Sequence, residues 1–302
     1  MSFHYKSNQI LLVDAYGYIY RSFYGIRNLT NPRGEDVNAL YGMARLFMSL
    51  ELSMKSDFGA IVYDLGKCSR RCELLPAYKA QRPPMPDALR SQLPIIREWA
   101  SAFGWGLVEK RGLEADDLLA AIAEERDKDQ EVGIFSFDKD ILQLVNEKVK
   151  VLTLGPKNAL KVTDTDEVVK KFGVSPAQVI DYLALVGDSA DNINGVRGVG
   201  PKTAALLLNQ YGTIDGIIEH VDEIKKTKLH DTLIESKDLM RRNYSLVRLD
   251  QELPDEWAGL ETIRRKEPDW DRIEKLAMDQ NFKSFLITIQ KQKKQSAQLD
   301  LF

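Results

Sequence analysis

Short apolar runs that end on a carboxylate recur along this chain and set its expected architecture. Residues 9–13 form such a run and end at Asp14, which reads as a buried strand. In residues 39–52, Leu40, Met43, Ala44, Phe47 and Leu50 recur at helical spacing. Residues 59–63 give a second strand that delivers Asp64. Pro83, Pro84 and Pro86 then punctuate the chain, because proline cannot continue a helix. Residues 87–103 read as a helix interrupted at Pro94, and Leu107-Val108 lead towards Glu114. An amphipathic helix opens at Asp116 and Asp117, and residues 131–137 form a third clear strand ending at Asp138. Strands alternating with helices predict an α/β fold built on a parallel sheet.

The pattern changes beyond about Ser175. Residues 179–186 are helical and apolar, and a glycine-rich stretch, residues 195–200, runs into a helix starting at Pro201. Residues 205–285 read as mostly helical with no clear strand. A domain change is expected near residue 180, giving domains 1–180 and 181–290. The Lys/Gln-rich residues 291–302 are expected to form a flexible tail.

The composition, 302 residues with 44% hydrophobic and 29% charged, suits one large soluble domain plus a small one. No apolar run reaches transmembrane length, and the polar start lacks a signal-peptide core, so a cytoplasmic protein is expected. Cys68 and Cys72, with only His4, His220 and His230 beside them, supply no familiar zinc spacing. Both thiols read as reduced and incidental.

Nine carboxylates at five places carry the candidate chemistry: Asp14, Asp64, the Glu114-Asp116-Asp117 cluster, the pair Asp138 and Asp140, and the pair Asp188 and Asp191. Carboxylates at the strand ends of an open sheet occupy the crevice where such folds bind ligands. Hard oxygen donors suit Mg²⁺ or Mn²⁺, and so many like charges need cations or protons to stay together. Two ions about 3.5–4 Å apart would satisfy them and cleave phosphodiesters. Taken alone, Glu114, Asp116 and Asp117 at a helix start are explained equally well by capping. The net charge of −3 conceals two populations, since the rest of the chain carries +6 once the nine acids are set aside. Basic residues cluster at Lys67, Arg70, Arg71, Lys79 and Arg82, at Lys225, Lys226 and Lys228, and at Lys291, Lys293 and Lys294. Local clusters of this kind, rather than a basic total, make phosphate contacts, although Lys225 to Lys228 alone read as solvated surface. Gly198 and Gly200 would expose backbone N–H groups at the Pro201 helix start as a phosphate site, with Lys202 and Thr203 adding side chains.

These motifs, in this order, resemble the 5′-nuclease or flap endonuclease family, especially the 5′→3′ exonuclease domain of bacterial DNA polymerase I and free-standing phage 5′ nucleases. The resemblance spans roughly residues 9–290. It runs through Leu-Leu-Val-Asp14, Tyr20-Arg21-Ser-Phe23, Tyr63-Asp64, Tyr78-Lys79-x-x-Arg82-x-Pro84, Glu114-Ala-Asp116-Asp117, Asp138-Lys139-Asp140 and Gly187-Asp188-x-x-Asp191-Asn192 to the glycine hairpin. It implies a PIN-like sheet flanked by helices, a helical arch over about residues 70–105, and a helix–three-turn–helix element that binds duplex DNA. It further implies that all nine acids hold divalent metals, two ions or more, and that a K⁺ ion sits at the hairpin. Tyr78, Lys79 and Arg82 match the arch motif, and Arg21 and Arg71 match basic positions near the scissile phosphate. Asp116 and Asp117 count among the catalytic set. On this reading Lys79 offsets transition-state charge and Tyr78 stacks on a base near the cut. Phe137, Asn194 and Arg70 depart from the family pattern without removing a proposed ligand.

The expected activity is structure-specific 5′→3′ exonuclease and 5′-flap cleavage on branched or 5′-ended duplex DNA, by a monomer in a bacterial or phage-infected cytoplasm. The chain ends where a polymerase domain would follow, so synthesis is not expected. Gln298, Leu299, Asp300, Leu301 and Phe302 resemble the pentapeptide by which bacterial replication proteins dock on the sliding clamp. Two other readings stay open: a junction-binding protein without catalysis, and an RNA-cleaving PIN-like nuclease.

Overall fold

The computed structural model describes residues 8–54, 56–66, 68–155, 159–224 and 228–299, with side chains up to Lys294. Lys67, Lys225, Lys226 and the last three residues of the clamp-like motif lie outside these, as do the side chains of Gln298 and Leu299. The chain opens with β1 (Ile10–Asp14), α1 (Ala15–Gly25), α2 (Asn38–Ser53) and β2 (Phe58–Val62). Next come α3 (Ser69–Leu74), α4 (Asp87–Arg90), α5 (Leu93–Ala102), β3 (Gly106–Val108), α6 (Ala115–Glu124) and β4 (Val132–Phe135). Then follow β5 (Val149–Leu154), β6 (Leu160–Thr163), α7 (Thr165–Phe172) and α8 (Val179–Val186), and the two-residue strands β7 (Gly187–Asp188) and β8 (Ile193–Asn194). The remaining helices are α9 (Pro201–Tyr211), α10 (Ile214–Glu219), α11 (Lys228–Glu235), α12 (Lys237–Val247), α13 (Trp270–Asp279) and α14 (Lys283–Leu299).

Six strands form one sheet in the order β3-β2-β1-β4-β5-β6, parallel except for the antiparallel edge pair β5 and β6. Strands β1, β2 and β4 are buried at every residue, as expected of strands covered on both faces. Alternation along β1 sends Ile10 and Leu12 into one core with α6, α8 and α9, and Leu11 and Val13 into a second with α2, α5 and α13. Chain order reverses between β1 and β4, which pair directly. That reversal opens a crevice at the carboxyl ends of the strands.

Four details add to or differ from the sequence expectation. Strands β5 and β6 were not anticipated, because their residues alternate only weakly and β6 is a half-exposed edge. The expected break at Pro94 falls instead at Ser91 and Gln92, and Pro94 lies in the first turn of α5, where its missing N–H costs nothing. Packing is continuous across the domain change expected near residue 180: Val179 and Leu183 share a core with Leu12, and Ile273, Phe282, Phe285 and Ile289 share the other with Val13. Finally, the tail expected to be flexible from Lys291 continues α14 to Leu299, and Lys293 is tied to Glu274 at 2.7 Å.

Candidate metal and nucleic-acid site

The crevice gathers its acids from separate elements. Asp14 ends β1 and caps α1, accepting a hydrogen bond from the Gly17 amide at 3.0 Å. Asp64 follows β2 and accepts from the Ala115 amide at 2.6 Å, which ties it to the start of α6. Ser136, just past β4, donates to Asp14 at 3.0 Å and accepts from the Asp138 amide at 3.0 Å. A cleft of about 410 Å³ is lined by Asp14, Asp64, Glu114, Asp116 and Asp138, with Lys79 and Arg82 on its rim.

Burial and repulsion raise the proton affinity of three of these acids, Asp14, Asp64 and Asp116. Burial pushes Asp14 up to about 6, with Asp64 and Asp138 adding to the rise. Asp116 lies well above the ordinary carboxylate range through burial and the charges of Asp138 and Asp14. Asp64 is also raised, by burial first. Acids held so close without enough counter-charge form a ready site for cations.

A second group lies next to the first. Asp140, Asp188 and Asp191 are buried, and each offers an oxygen within 4.8 Å of the others. Asp140 Oδ1 is buried without a hydrogen-bond partner among the described residues, as befits a cation ligand. Burial, and then Asp138, Asp191 and Asp188, hold the Asp140 carboxyl well above its usual range. The donor set, all carboxylate, fits a hard divalent ion.

The loop that carries Asp188 and Asp191 is fixed by close backbone packing. Gly187 has φ +80°, and a Cβ there would sit 2.3 Å from the Gly195 amide, so only glycine fits. Asn243 in α12 clamps the same loop by donating to the carbonyls of Ala184 and Asn194, at 3.0 and 2.8 Å.

The protein's own cations answer these acids. Lys79 Nζ lies 2.7 Å from Glu114 Oε1 and 3.5 Å from Asp191, Arg82 lies 2.6 Å from Asp191, and Lys139 lies 3.0 Å from Asp188. Lys79 sits at φ +51°, a left-handed conformation uncommon for a residue with a side chain. Its amide is held by the Asp191 carbonyl at 3.1 Å. Burial alone would lower the Lys79 ammonium, but the charges of Glu114 and Asp191 outweigh it and hold the ammonium above its ordinary value.

Three sequence assignments are corrected here. Asp117 does not line the cleft; it is fully buried and takes two hydrogen bonds from Arg71, at 2.6 and 2.7 Å, and one from the Asp250 amide. Arg71 is therefore not a free phosphate contact: it is buried, and also donates to the Leu246 carbonyl and to Glu114. Tyr78 is buried, its hydroxyl 2.8 Å from Glu114 and 3.0 Å from Asp191 with one proton to share between them, so its ring presents no surface to a base. It instead links the two acidic groups. Each of the three was assigned by motif, and a motif does not tell a residue that touches a ligand from one that braces it.

Residues 70–105, the expected arch, do not all lie over the acids. Trp99 and Phe103 are fully buried in the core between α2 and α13, because α5 packs on the sheet. From this segment Lys79, Arg82 and Met85 line the acidic cleft, whereas Leu89 and Gln92 are buried against α2. Arg21 lines a neighbouring groove of about 720 Å³ with Tyr20, Tyr24, Arg45 and Phe137, a groove without a carboxylate, and its guanidinium lies 4.4 Å above the Phe137 ring. Gly198 has φ +79°, and Gly200 caps α9 with no acid in the first turn, leaving Lys202 exposed beside free N–H groups. Sequence reading missed Ser136, Lys139 and Tyr16; Ser136 and Lys139 flank Asp138 in the motif, and that adjacency was the available signal.

Comparison with known proteins agrees with this geometry. A family model described as 5′-3′ exonuclease, N-terminal resolvase-like domain, matches residues 9–173, and one described as 5′-3′ exonuclease, C-terminal SAM fold, matches residues 174–271. A 5′-3′ exonuclease of Aquifex aeolicus (strain VF5) is 36% identical over 294 residues, covering 97% of this chain and 99% of that protein. DNA polymerase I of Bacillus subtilis (strain 168) is 35% identical over 260 residues, covering 85% of this chain but only 30% of the polymerase. A bacteriophage T5 flap endonuclease solved with DNA and metal ions superposes with a TM-score of 0.64 at 24% identity, over 94% of this chain and 99% of that one. The catalytic core of Rad2 with DNA substrate gives 0.62 at 17% identity, over 94% and 92%. At such identities the two structures speak for the fold alone.

Proposed function

The chain belongs to the 5′-3′ exonuclease family, and from that premise we propose that it hydrolyses DNA phosphodiesters at 5′ ends and at the base of 5′ flaps, in replication and repair. The observation that carries the reading is the gathering of eight of the nine acids into two adjoining groups at the sheet's carboxyl edge. Asp14, Asp64, Glu114, Asp116 and Asp138 would hold one divalent ion, and Asp140, Asp188 and Asp191 another, with Mg²⁺ or Mn²⁺ the ions their oxygens suit. Divalent ions held by these carboxylates would supply Lewis acidity, activating a water near neutral pH and offsetting charge on the leaving 3′ oxygen.

The chain's own residues supply the rest. Lys79, held over the cleft by Glu114 and Asp191, is placed to offset charge that develops on the scissile phosphate. Arg82, half exposed beside it, meets the strand passing the rim. The free N–H groups at the start of α9, with Lys202 and Thr203, take backbone phosphates of the duplex, and K⁺ at the hairpin is part of the same proposal. Specificity then rests on DNA shape and a free 5′ end rather than base edges. The clamp-like residues 298–302 make a bacterial sliding clamp the second proposed partner.

The test is a 5′-flap DNA incubated with the protein and Mg²⁺, with EDTA and Asp116→Ala as controls and a matching RNA flap alongside. Cleavage of the DNA by the wild type alone is the expected result. No cleavage by either protein, with binding intact, favours a junction binder, and preference for RNA redirects the substrate class.

A further inference from the structure

Beside the acidic cleft lies a recess of about 460 Å³ whose lining carries three lysines against two acids, Asp138 and Glu167. It is lined by Lys161 on β6, by Lys170 and Lys171 on α7, and by the hydroxyl-bearing Ser136, Thr153 and Thr163. Asp138 belongs to both linings, so recess and cleft share a wall. Among the described residues, Lys170 pairs with Glu167 at 3.3 Å, and neither Lys161 nor Lys171 makes an ion pair. Burial, then Lys161 and Lys139, depress the Lys171 ammonium against the opposing pull of Asp138, so these cations crowd one another. Lysines in excess of the acids beside them raise the local potential and draw an anion.

The surroundings indicate which anion. Helix α7 ends against α9: the Gly173 carbonyl accepts from Asn209 at 2.9 Å, and a Cβ on Gly173 would lie 3.2 Å from Ala205. Ala205 is one turn beyond Pro201, where the glycine hairpin enters α9. The lysine recess therefore shares a wall with the acidic cleft, and the helix that carries two of its lysines ends against the hairpin helix.

We propose that the Lys161–Lys171 recess seats backbone phosphates of the DNA duplex between the cleavage cleft and the start of α9. The two lysines act by charge and not on the reacting atoms, so they set affinity and leave the chemical step alone. This rests on the nuclease reading.

The experiment is steady-state cleavage of a 5′-flap DNA in Mg²⁺ across 50–200 mM NaCl, comparing wild type, Lys161→Ala/Lys171→Ala and Lys161→Arg/Lys171→Arg. The alanine pair should raise KM about tenfold, leave kcat within about twofold, and flatten the log–log salt dependence by about one to two. The arginine pair should restore both KM and slope, which a folding defect would not allow. An alanine pair with unchanged KM and slope, against an active wild type, overturns the recess proposal alone. A wild type that neither binds nor cleaves the flap overturns the nuclease reading, and the recess proposal with it.

Discussion

Arg71 holds Asp117 through two parallel hydrogen bonds, 2.6 and 2.7 Å, where neither side chain meets solvent. The pair joins α3 to α6 and, through the Leu246 and Arg248 carbonyls, to the end of α12. Breaking a buried pair leaves an uncompensated charge, which costs about 3–5 kcal/mol. Arg71→Ala and Asp117→Ala should each lower unfolding stability by that order in urea titrations. Full stability with lost cleavage would return Asp117 to the metal ligands.

Asp116 makes the opposite case. Its neighbours repel its charge, so Asp116→Ala should leave the metal-free protein as stable as before or more so. Losing a cation ligand removes several kcal/mol of transition-state stabilisation, a drop of about a hundredfold or more in flap cleavage. Stability and turnover measured on the same preparation separate it from Asp117.

The raised carboxyls make metal-free stability fall with pH. Asp14 sits at about 6 in the fold against an ordinary 3.8, so the folded state binds its proton more tightly than the unfolded chain. That contribution is complete below the unfolded value and is lost as pH climbs through about 6. In EDTA, Asp14→Asn should therefore gain melting temperature relative to wild type as pH rises from about 4 to 7. Added Mg²⁺ should reverse the order at pH 7, because only the wild type keeps the full ligand set. Parallel melting curves across that range would refute the assignment.

Lys79 and Arg82 both contact Asp191, but their burial differs, with side-chain exposures of 18% and 51%. A cation in a drier place acts more strongly on developing charge. Lys79→Ala should lower kcat by about a hundredfold, within the range of lost electrostatic donors, whereas Arg82→Ala should act mainly through KM. Equal kcat losses would remove the distinction.

The clamp proposal has its own test. Deleting residues 298–302 should leave cleavage of free oligonucleotides unchanged and abolish recovery with a bacterial sliding clamp. Unchanged recovery retires it.

Much of the fold was legible because β1, β2 and β4 are apolar throughout, each leading to an acid at or near its carboxyl end. Strands β5 and β6 were not, since Lys150, Thr153 and Lys161 blur the apolar signal at a sheet edge. The acids Asp14, Asp64, Asp116, Asp138 and Asp140 stood out by their places in the chain, and the fold gathers them at the carboxyl edge of the sheet. Tyr78, Arg71 and Asp117 were named but misread, because burial depends on α12 and on residues 246–250, far away in sequence. The lysine recess could not be foreseen, as β6 and α7 meet the carboxyl end of β4 only through strand order.

The sequence by itself determined the kind of chemistry: a hard-oxygen site at the ends of parallel strands, with a glycine hairpin beyond it. Residue type and local period suffice for that, since donor hardness and strand burial are properties of short segments. Only the tertiary structure decided how the acids divide, with five in one cleft, three beside it and Asp117 withdrawn into an ion pair. Coulomb energy depends on distance and burial, and both are set by contacts between elements that lie far apart along the chain.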